Sequence, residues 1–300
     1  MRVLHIDTGR HMHGGQWQVL YLLEGWAKTG AAPPMQYTLL APGDSALYVE
    51  ACERGFDAVP LSVRELWRRT RKADIVHAHD ARAHTLAALV GGAPLVVSRR
   101  VGFPVRRSIA SKWKYHRASL YLAVSQFVAS ELSAAGVDAR KIRVVYDGVP
   151  IPPPAQPQPG RVLALAGKCE SIVREAAQIA GVEVHWTSDL WQDLSTAAIF
   201  LYISELEGLG SAALAAMASG VPVIASRVGG LGEVVEHEKT GLLVSSPAQP
   251  PEIADAIRRL LDDPAAADAM GRNGRARVIE RYSVETMRQE TLRAYQEIAK

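Results

Sequence analysis

Along this chain, short runs of β-branched and other apolar residues alternate with longer stretches whose apolar positions fall three or four apart. The first pattern predicts strands and the second amphipathic helices. Residues 3–6 predict a strand, and residues 16–28, apolar at 19, 20, 22, 23, 26 and 27, a helix; residues 37–40 predict the next strand. The alternation continues with a helix near 47–54, a strand at 75–77, a helix near 84–89 and a strand at 95–97. It closes with a helix near 109–116, a strand at 120–124, a helix over 126–135 and a strand at 142–146. Strands that alternate with helices imply a parallel, doubly wound sheet.

Residues 149–160 read Val-Pro-Ile-Pro-Pro-Pro-Ala-Gln-Pro-Gln-Pro-Gly. No helix tolerates that proline density, so the segment predicts an extended connector and a domain boundary. Beyond it the alternation resumes: strand 162–166, helix 171–180, strands 182–186 and 199–203, helix 211–218, strands 221–225 and 241–244, then helices over 251–261 and 265–282. Ser283-Val284-Glu285-Thr286 opens a last amphipathic helix over 283–299 with a plausible N-cap. The expected domains are 1–150, a linker at 151–160, and 161–282.

The chain's 300 residues suit two such domains, since one core rarely grows beyond about 250 residues. Hydrophobic residues make up 48% and charged residues 22%, which leaves ample core material and no sign of disorder. The most apolar segment, 212–226, is interrupted by Gly220-Val221-Pro222, well short of the roughly eighteen apolar residues a spanning helix needs. Cys52 and Cys169 are too few and too distant for a disulfide framework or a metal knuckle, as expected of a cytoplasmic protein.

The net charge of +3 conceals an asymmetry. Residues 1–150 hold 20 Lys and Arg against 12 Asp and Glu, whereas residues 151–300 hold 14 against 19. No acid lies between Asp80 and Glu131, and there Arg99, Arg100, Arg106, Arg107, Lys112, Lys114 and Arg117 are interleaved with Phe103, Trp113 and Tyr115. Such a segment suits an anionic membrane face or an acidic glycan or lipid-phosphate acceptor, with a solvated helix face as the plainer reading. Nucleic acid is the least favoured partner and is not expected, because no matching motif accompanies the moderate charge.

Three local patterns carry candidate chemistry. His13-Gly14-Gly15 lies between the first strand and helix, where Gly14 and Gly15 let backbone amides approach an anion; a tight βα turn is the plainer reading. Ser204-Glu205-Leu206-Glu207-Gly208-Leu209-Gly210-Ser211 joins a strand to a helix, so a carboxylate precedes bared amides, a combination suited to a polyhydroxylated, phosphorylated ligand. His77-Ala78-His79-Asp80 ends a strand; no second ligand cluster supports a metal there, and His79 and Asp80 are expected to line the acceptor side with Arg99.

The second pattern continues through Ala212–Ser226 into Arg227-Val228-Gly229-Gly230-Leu231-Gly232-Glu233 and Lys239-Thr240-Gly241, and this run resembles the nucleotide-sugar signature of glycosyltransferase family 4. Asp74-Ile75-Val76-His77-Ala78-His79, Ala123-Val124-Ser125, Tyr146-Asp147-Gly148-Val149 and Tyr282-Ser283 extend the resemblance over nearly the whole chain. The resemblance implies an α/β chain of GT-B fold, two Rossmann-like doubly wound domains facing a cleft, with the C-terminal domain shortened and the last helix returning to the N-terminal domain. It implies transfer with retention from a nucleotide-sugar donor to a glycan or lipid-linked acceptor, with no metal or other cofactor.

Carried over by position, Glu207 contacts the donor sugar, and the amides of Gly208, Leu209, Gly210 and Ser211, with Gly14 and Gly15, meet sugar and phosphate. Lys168, assisted by Arg174, neutralises the diphosphate. Two positions depart from the pattern. The signature's second glutamate is Ala215, and Arg100 stands where a histidine is usual near the reacting sugar; a guanidinium holds anions but is no base. These departures leave two further readings open, a non-catalytic GT-B binding or scaffolding protein and a sugar-nucleotide epimerase.

Overall fold

The computed structural model describes residues 1–27, 35–105, 108–167 and 169–299. The chain forms two compact units: Met1–Gly148 together with Val284–Lys300, and Val149–Ser283. Each is built on one sheet.

The first sheet contains β1 (Arg2–Ile6), β2 (Gln36–Ala41), β3 (Ala58–Pro60), β4 (Ile75–Ala78), β5 (Leu95–Arg99), β6 (Leu120–Ala123) and β7 (Ile142–Val144), in the spatial order 3-2-1-4-5-6-7. All its pairings are parallel. Helices cover both faces of such a sheet, so its central strands are buried and, but for His5 and His77, apolar: β4, β6 and all of β1 but Arg2 are buried. The second sheet contains β8 (Val162–Leu165), β9 (Val184–Thr187), β10 (Ile199–Tyr202), β11 (Val223–Ser226) and β12 (Gly241–Val244), in the order 12-11-10-8-9, again all parallel. This is the fold class expected, two doubly wound parallel domains, the second with fewer strands.

Side-chain caps fix where several helices start. Asp80 accepts from the amides of Arg82 and Ala83 to begin Ala81–Val90, and Ser125 accepts from the Val128 amide to begin Gln126–Ala134. The first helix runs Gly14–Ala27, so it includes both glycines of the candidate loop, and the expected end at Lys28 lies outside the described residues.

Five elements had no counterpart in the pattern reading, among them the short turns Ala139–Lys141 and Leu231–Val234. β3 is a three-residue edge strand ending in Pro60, tolerable there because one side needs no donor. Helix Val63–Thr70 buries only Leu66 and Thr70 beneath its arginines, so its apolar stripe is too thin to read. Helix Leu190–Leu194, within a segment read as a loop, is little more than one turn, capped by Asp189.

The proline-rich segment holds no helix or strand among residues 150–160 and is hydrogen-bonded to its neighbours. The amides of Ala155, Gln156 and Gln158 donate to the carbonyls of Ser219, Ser195 and Thr196 at 2.8–2.9 Å, which ties it along the second unit. The chain's last helix, Val284–Ile298, lies in the first unit against Gly14–Ala27, where a Cβ at Gly25 would stand 3.3 Å from Arg288 and Val284 atoms. Met287, Ala294 and Tyr295 enter that unit's core, and the Tyr295 hydroxyl lies 2.6 Å from His77 Nδ1 on β4.

Tyr295→Phe keeps the packing but strips this fully buried imidazole nitrogen of its partner. It should cost about 1–3 kcal/mol in denaturant unfolding, while Gln296→Ala at an exposed position of the same helix should change stability by less than about 0.5 kcal/mol.

Candidate functional site

A parallel sheet binds ligands beyond the carboxyl ends of its strands, where the strand order reverses and neighbouring loops diverge. In the second sheet that point lies between β8 and β10. The loop after β10 holds Glu207, whose Oε1 accepts from the Tyr202 hydroxyl at 3.0 Å and the Ser204 hydroxyl at 3.1 Å. Its backbone carbonyl accepts from the Gly230 amide at 3.2 Å. Burial and the adjacent Glu207 carboxylate push the Tyr202 hydroxyl far above the usual phenol range, so it stays a donor to that carboxylate.

Two glycines make this loop possible. Gly210 has φ of +104° as it turns into helix Ser211–Ala218, and a Cβ at Gly230 would collide with the Gly208 carbonyl oxygen. No side chain caps the helix, whose first turn thereby presents backbone amides beside Glu207. Leu209 is buried, so its side chain is not exposed on this loop. Ala215 is 2% exposed in a helix buried from Ala212 to Ala218.

On the other flank, β8 leads to Gly167, at φ of +85°, and then to Lys168, which lies outside the described residues. The Gly167 amide donates to Glu170 Oε1 at 2.7 Å. Arg174, paired here by sequence with the diphosphate role, has partners of its own: Glu170 at 3.4 Å and the Trp186 ring, 4.7 Å from the guanidinium carbon.

In the first sheet the order reverses between β1 and β4. Asp80 is committed to structure, because besides capping its helix it accepts from the Thr8 amide and, at 2.8 Å, the Thr8 hydroxyl. Asp7 accepts from Gly9 and Gln16, and burial with the nearby Asp80 charge raises its pKa. His79 and Arg100 come together: Arg100 Nη1 lies 3.3 Å from His79 Nδ1, and its Nε donates to Asp147 at 2.9 Å. A Cβ at Gly15 would stand 4.0 Å from Arg100 Cδ, so Gly15 shares this neighbourhood. Arg99 instead donates to the Phe103 carbonyl.

Behind Arg100 is a cluster that the sequence did not reveal. His5 and His77 are register partners on β1 and β4, and His5, His77 and His79 bring ring nitrogens within 4.8 Å of one another. His5 Nδ1 and His79 Nε2 are 2.8 Å apart, and His77 Nε2 lies 2.7 Å from Ser98 Oγ. Arg100 can only donate, so His79 accepts at Nδ1, donates from Nε2 to His5, and leaves His5 Nε2 as a buried N–H without an acceptor among the described residues. Five of the six ring nitrogens are thus engaged by protein groups, and the adjacent guanidinium opposes a second cation.

The comparisons with known proteins agree with this architecture. The family described as Glycosyltransferase Family 4 matches residues 12–152, and that described as Glycosyl transferases group 1 matches residues 155–277. The chain belongs to the family 4 glycosyltransferases. It is 36% identical over 146 residues to the alpha-maltose-1-phosphate synthase of Mycolicibacterium smegmatis, covering 45% of this chain and 38% of that protein. It is 35% identical over 118 residues to the MMP alpha-(1->4)-mannosyltransferase of Mycolicibacterium hassiacum, covering 38% and 29%. The matches thus span between a quarter and two fifths of these curated relatives. Among solved structures, Anabaena HepE in complex with UDP superimposes with a TM-score of 0.86 at 17% identity, covering 99% of this chain and all of that one. The lipopolysaccharide outer core galactosyltransferase WaaB gives 0.73 at 16% identity, covering 99% of each chain.

Sequence reasoning missed His5, Asp147 and Tyr202 as neighbours of candidate residues. The one available signal was an acid, Asp147, directly after an apolar strand.

The histidine cluster predicts acid sensitivity. Burial and the Arg100 charge lower His5 to about 3, and hold His77 and His79 well below the usual imidazole range. The folded state therefore binds fewer protons than the unfolded chain once pH falls below the unfolded value of about 6.5, and stability drops from there downward. Between pH 7 and 5 each buried histidine should remove about 2 kcal/mol, partly offset by Asp7 and Asp147, whose pKa values burial raises. Urea unfolding at the two pH values measures the sum, and an equal midpoint at both would contradict the neutral cluster.

Proposed function

We propose that this chain transfers a sugar from a nucleoside diphosphate donor to a glycan or lipid-linked acceptor of cell-envelope polysaccharide or lipopolysaccharide synthesis. Transfer retains the anomeric configuration, needs no metal, and takes place in the cytoplasm at the membrane surface. Membership of the glycosyltransferase family supplies the reaction class. The observation that carries the site is the loop after β10, where Glu207 is held by Tyr202 and Ser204 beside the uncapped start of helix Ser211–Ala218.

In this reading Glu207 accepts hydroxyls of the donor sugar, and the amides of Gly208, Leu209, Gly210 and Ser211 meet the sugar and its distal phosphate. As the anomeric C–O bond breaks, its electron pair passes to the diphosphate, whose charge Lys168 stabilises. Arg174 joins only by giving up its exposed pairing with Glu170, an exchange worth at most about 1 kcal/mol. Arg100 with Asp147 fixed behind it holds an anionic group of donor or acceptor near Gly14, Gly15 and His79. None of the described helices is long and apolar enough to cross a membrane, which suits work on lipid-linked acceptors from the surface.

A non-catalytic nucleotide-binding role is the second reading, favoured by Ala215, since the buried small residue there supplies no carboxylate to a ribose. Calorimetry with UDP, GDP, ADP and CMP in the presence of EDTA, followed by transfer assays with the corresponding sugars, separates the two. Saturable binding to one diphosphate with turnover supports the enzyme, and binding without turnover supports the second reading.

Glu207→Ala should lower the transfer rate by a factor of at least about 100 at unchanged melting temperature. Turnover equal to wild type would displace the site from this loop.

A further inference from the structure

Helix Ile109–Arg117 is unlike the other long helices of its unit, because none of its nine residues is buried. Its inner side is held by polar and aromatic contacts: Tyr115 stacks on Tyr121 with centroids 5.5 Å apart, and Lys114 Nζ lies 3.3 Å from the Ala81 carbonyl and from Thr85 Oγ1. The outer side carries Ile109, Lys112, Trp113 and His116, whose spacing of three and four places them on one face. Ile109 is 89% exposed and Trp113 45%. On the segment following β5, Phe103 is 63% exposed and Val101 44%.

We propose that this apolar, basic face, formed by helix Ile109–Arg117 and residues 101–103, docks on an anionic lipid bilayer. Two independent features select that occupant. The sequence between Asp80 and Glu131 contains no acid, and Lys112 and Arg117 have no ion-pair partner among the described residues, so their charge is available to an approaching surface; Arg106 and Arg107, outside the described residues, add to the same count. A soluble acidic glycan would satisfy these cations but leave Ile109, Trp113 and Phe103 in water, whereas the headgroup boundary of a bilayer takes both, with a tryptophan at the interface.

The placement bears on acceptor supply. Residues 101–103 directly follow Arg100, so a bilayer held here lies beside the sheet edge at which Arg100, His79 and Gly15 meet. The value of that placement for acceptor delivery rests on the transferase reading; adsorption itself does not.

The test is co-sedimentation of the whole protein, without substrates, with vesicles of phosphatidylcholine alone and of phosphatidylcholine mixed with phosphatidylglycerol. Binding is expected to the mixed vesicles only. Lys112→Glu should weaken it about fivefold or more, and Ile109→Ser combined with Trp113→Ser about tenfold or more. Melting temperatures should stay unchanged, since these side chains are exposed, as should transfer to a water-soluble acceptor. A wild-type protein that binds neither vesicle, variants that bind as wild type does, or equal binding to neutral vesicles would each overturn the proposal. A wild-type protein that binds the mixed vesicles but transfers no sugar would instead count against the transferase reading alone.

Discussion

In a sheet whose strands all run one way, every strand-to-helix loop leaves from the same edge, and only a reversal in strand order forces two such loops apart. Both sheets here have one reversal, between β1 and β4 and between β8 and β10. The chemistry follows from that constraint. Glu207 and Gly167 flank one opening, while Asp7, His79 and Asp80 flank the other. Neither set is close in sequence, and no contact between their side chains is needed to explain why they stand at the same edge of their sheets.

The openings are held by different physics. In the second unit, backbone geometry dominates: Gly210 takes a left-handed turn, Gly230 admits a close approach to the Gly208 main chain, and a carboxylate is oriented by two hydroxyls. In the first unit the work falls to a buried polar network from Asp147 through Arg100, His79 and His5. A buried ion pair contributes little net stability after desolvation, and its loss on one side is costly. Its yield here is position: Arg100 is clamped at both ends of its guanidinium, so an anion arriving beside it meets a preorganised partner.

Much of this was legible in the sequence. Parallel strands buried on both faces are nearly uninterrupted apolar runs, so β1, β4, β5, β6, β8, β10 and β12 can be picked out from the order of residues alone. Edge strand β3 and the arginine-rich helix Val63–Thr70 cannot, because little of either is buried and burial is what writes the pattern. The Glu207 loop was readable because Glu207, Gly208 and Gly210 lie within four consecutive residues. The histidine cluster was not, since only the register between β1 and β4 sets His5 opposite His77, and 218 residues separate His77 from Tyr295. The proline-rich segment shows a third case: composition marks it as free of helix, while its hydrogen bonds to Ser195, Thr196 and Ser219 assign it to a unit.

The return of helix Val284–Ile298 to the first unit also imposes an order of events during translation. When the ribosome has delivered the first 148 residues, their sheet can form, but the groove beside Gly14–Ala27 and the imidazole of His77 still await Tyr295. The second unit, contiguous from Val149 to Ser283, has no such dependence and can close as soon as it emerges. Residues 1–148 are therefore completed only after the unit that follows them, and a nascent chain stalled between Ser283 and Tyr295 carries a finished second unit beside an unfinished first one.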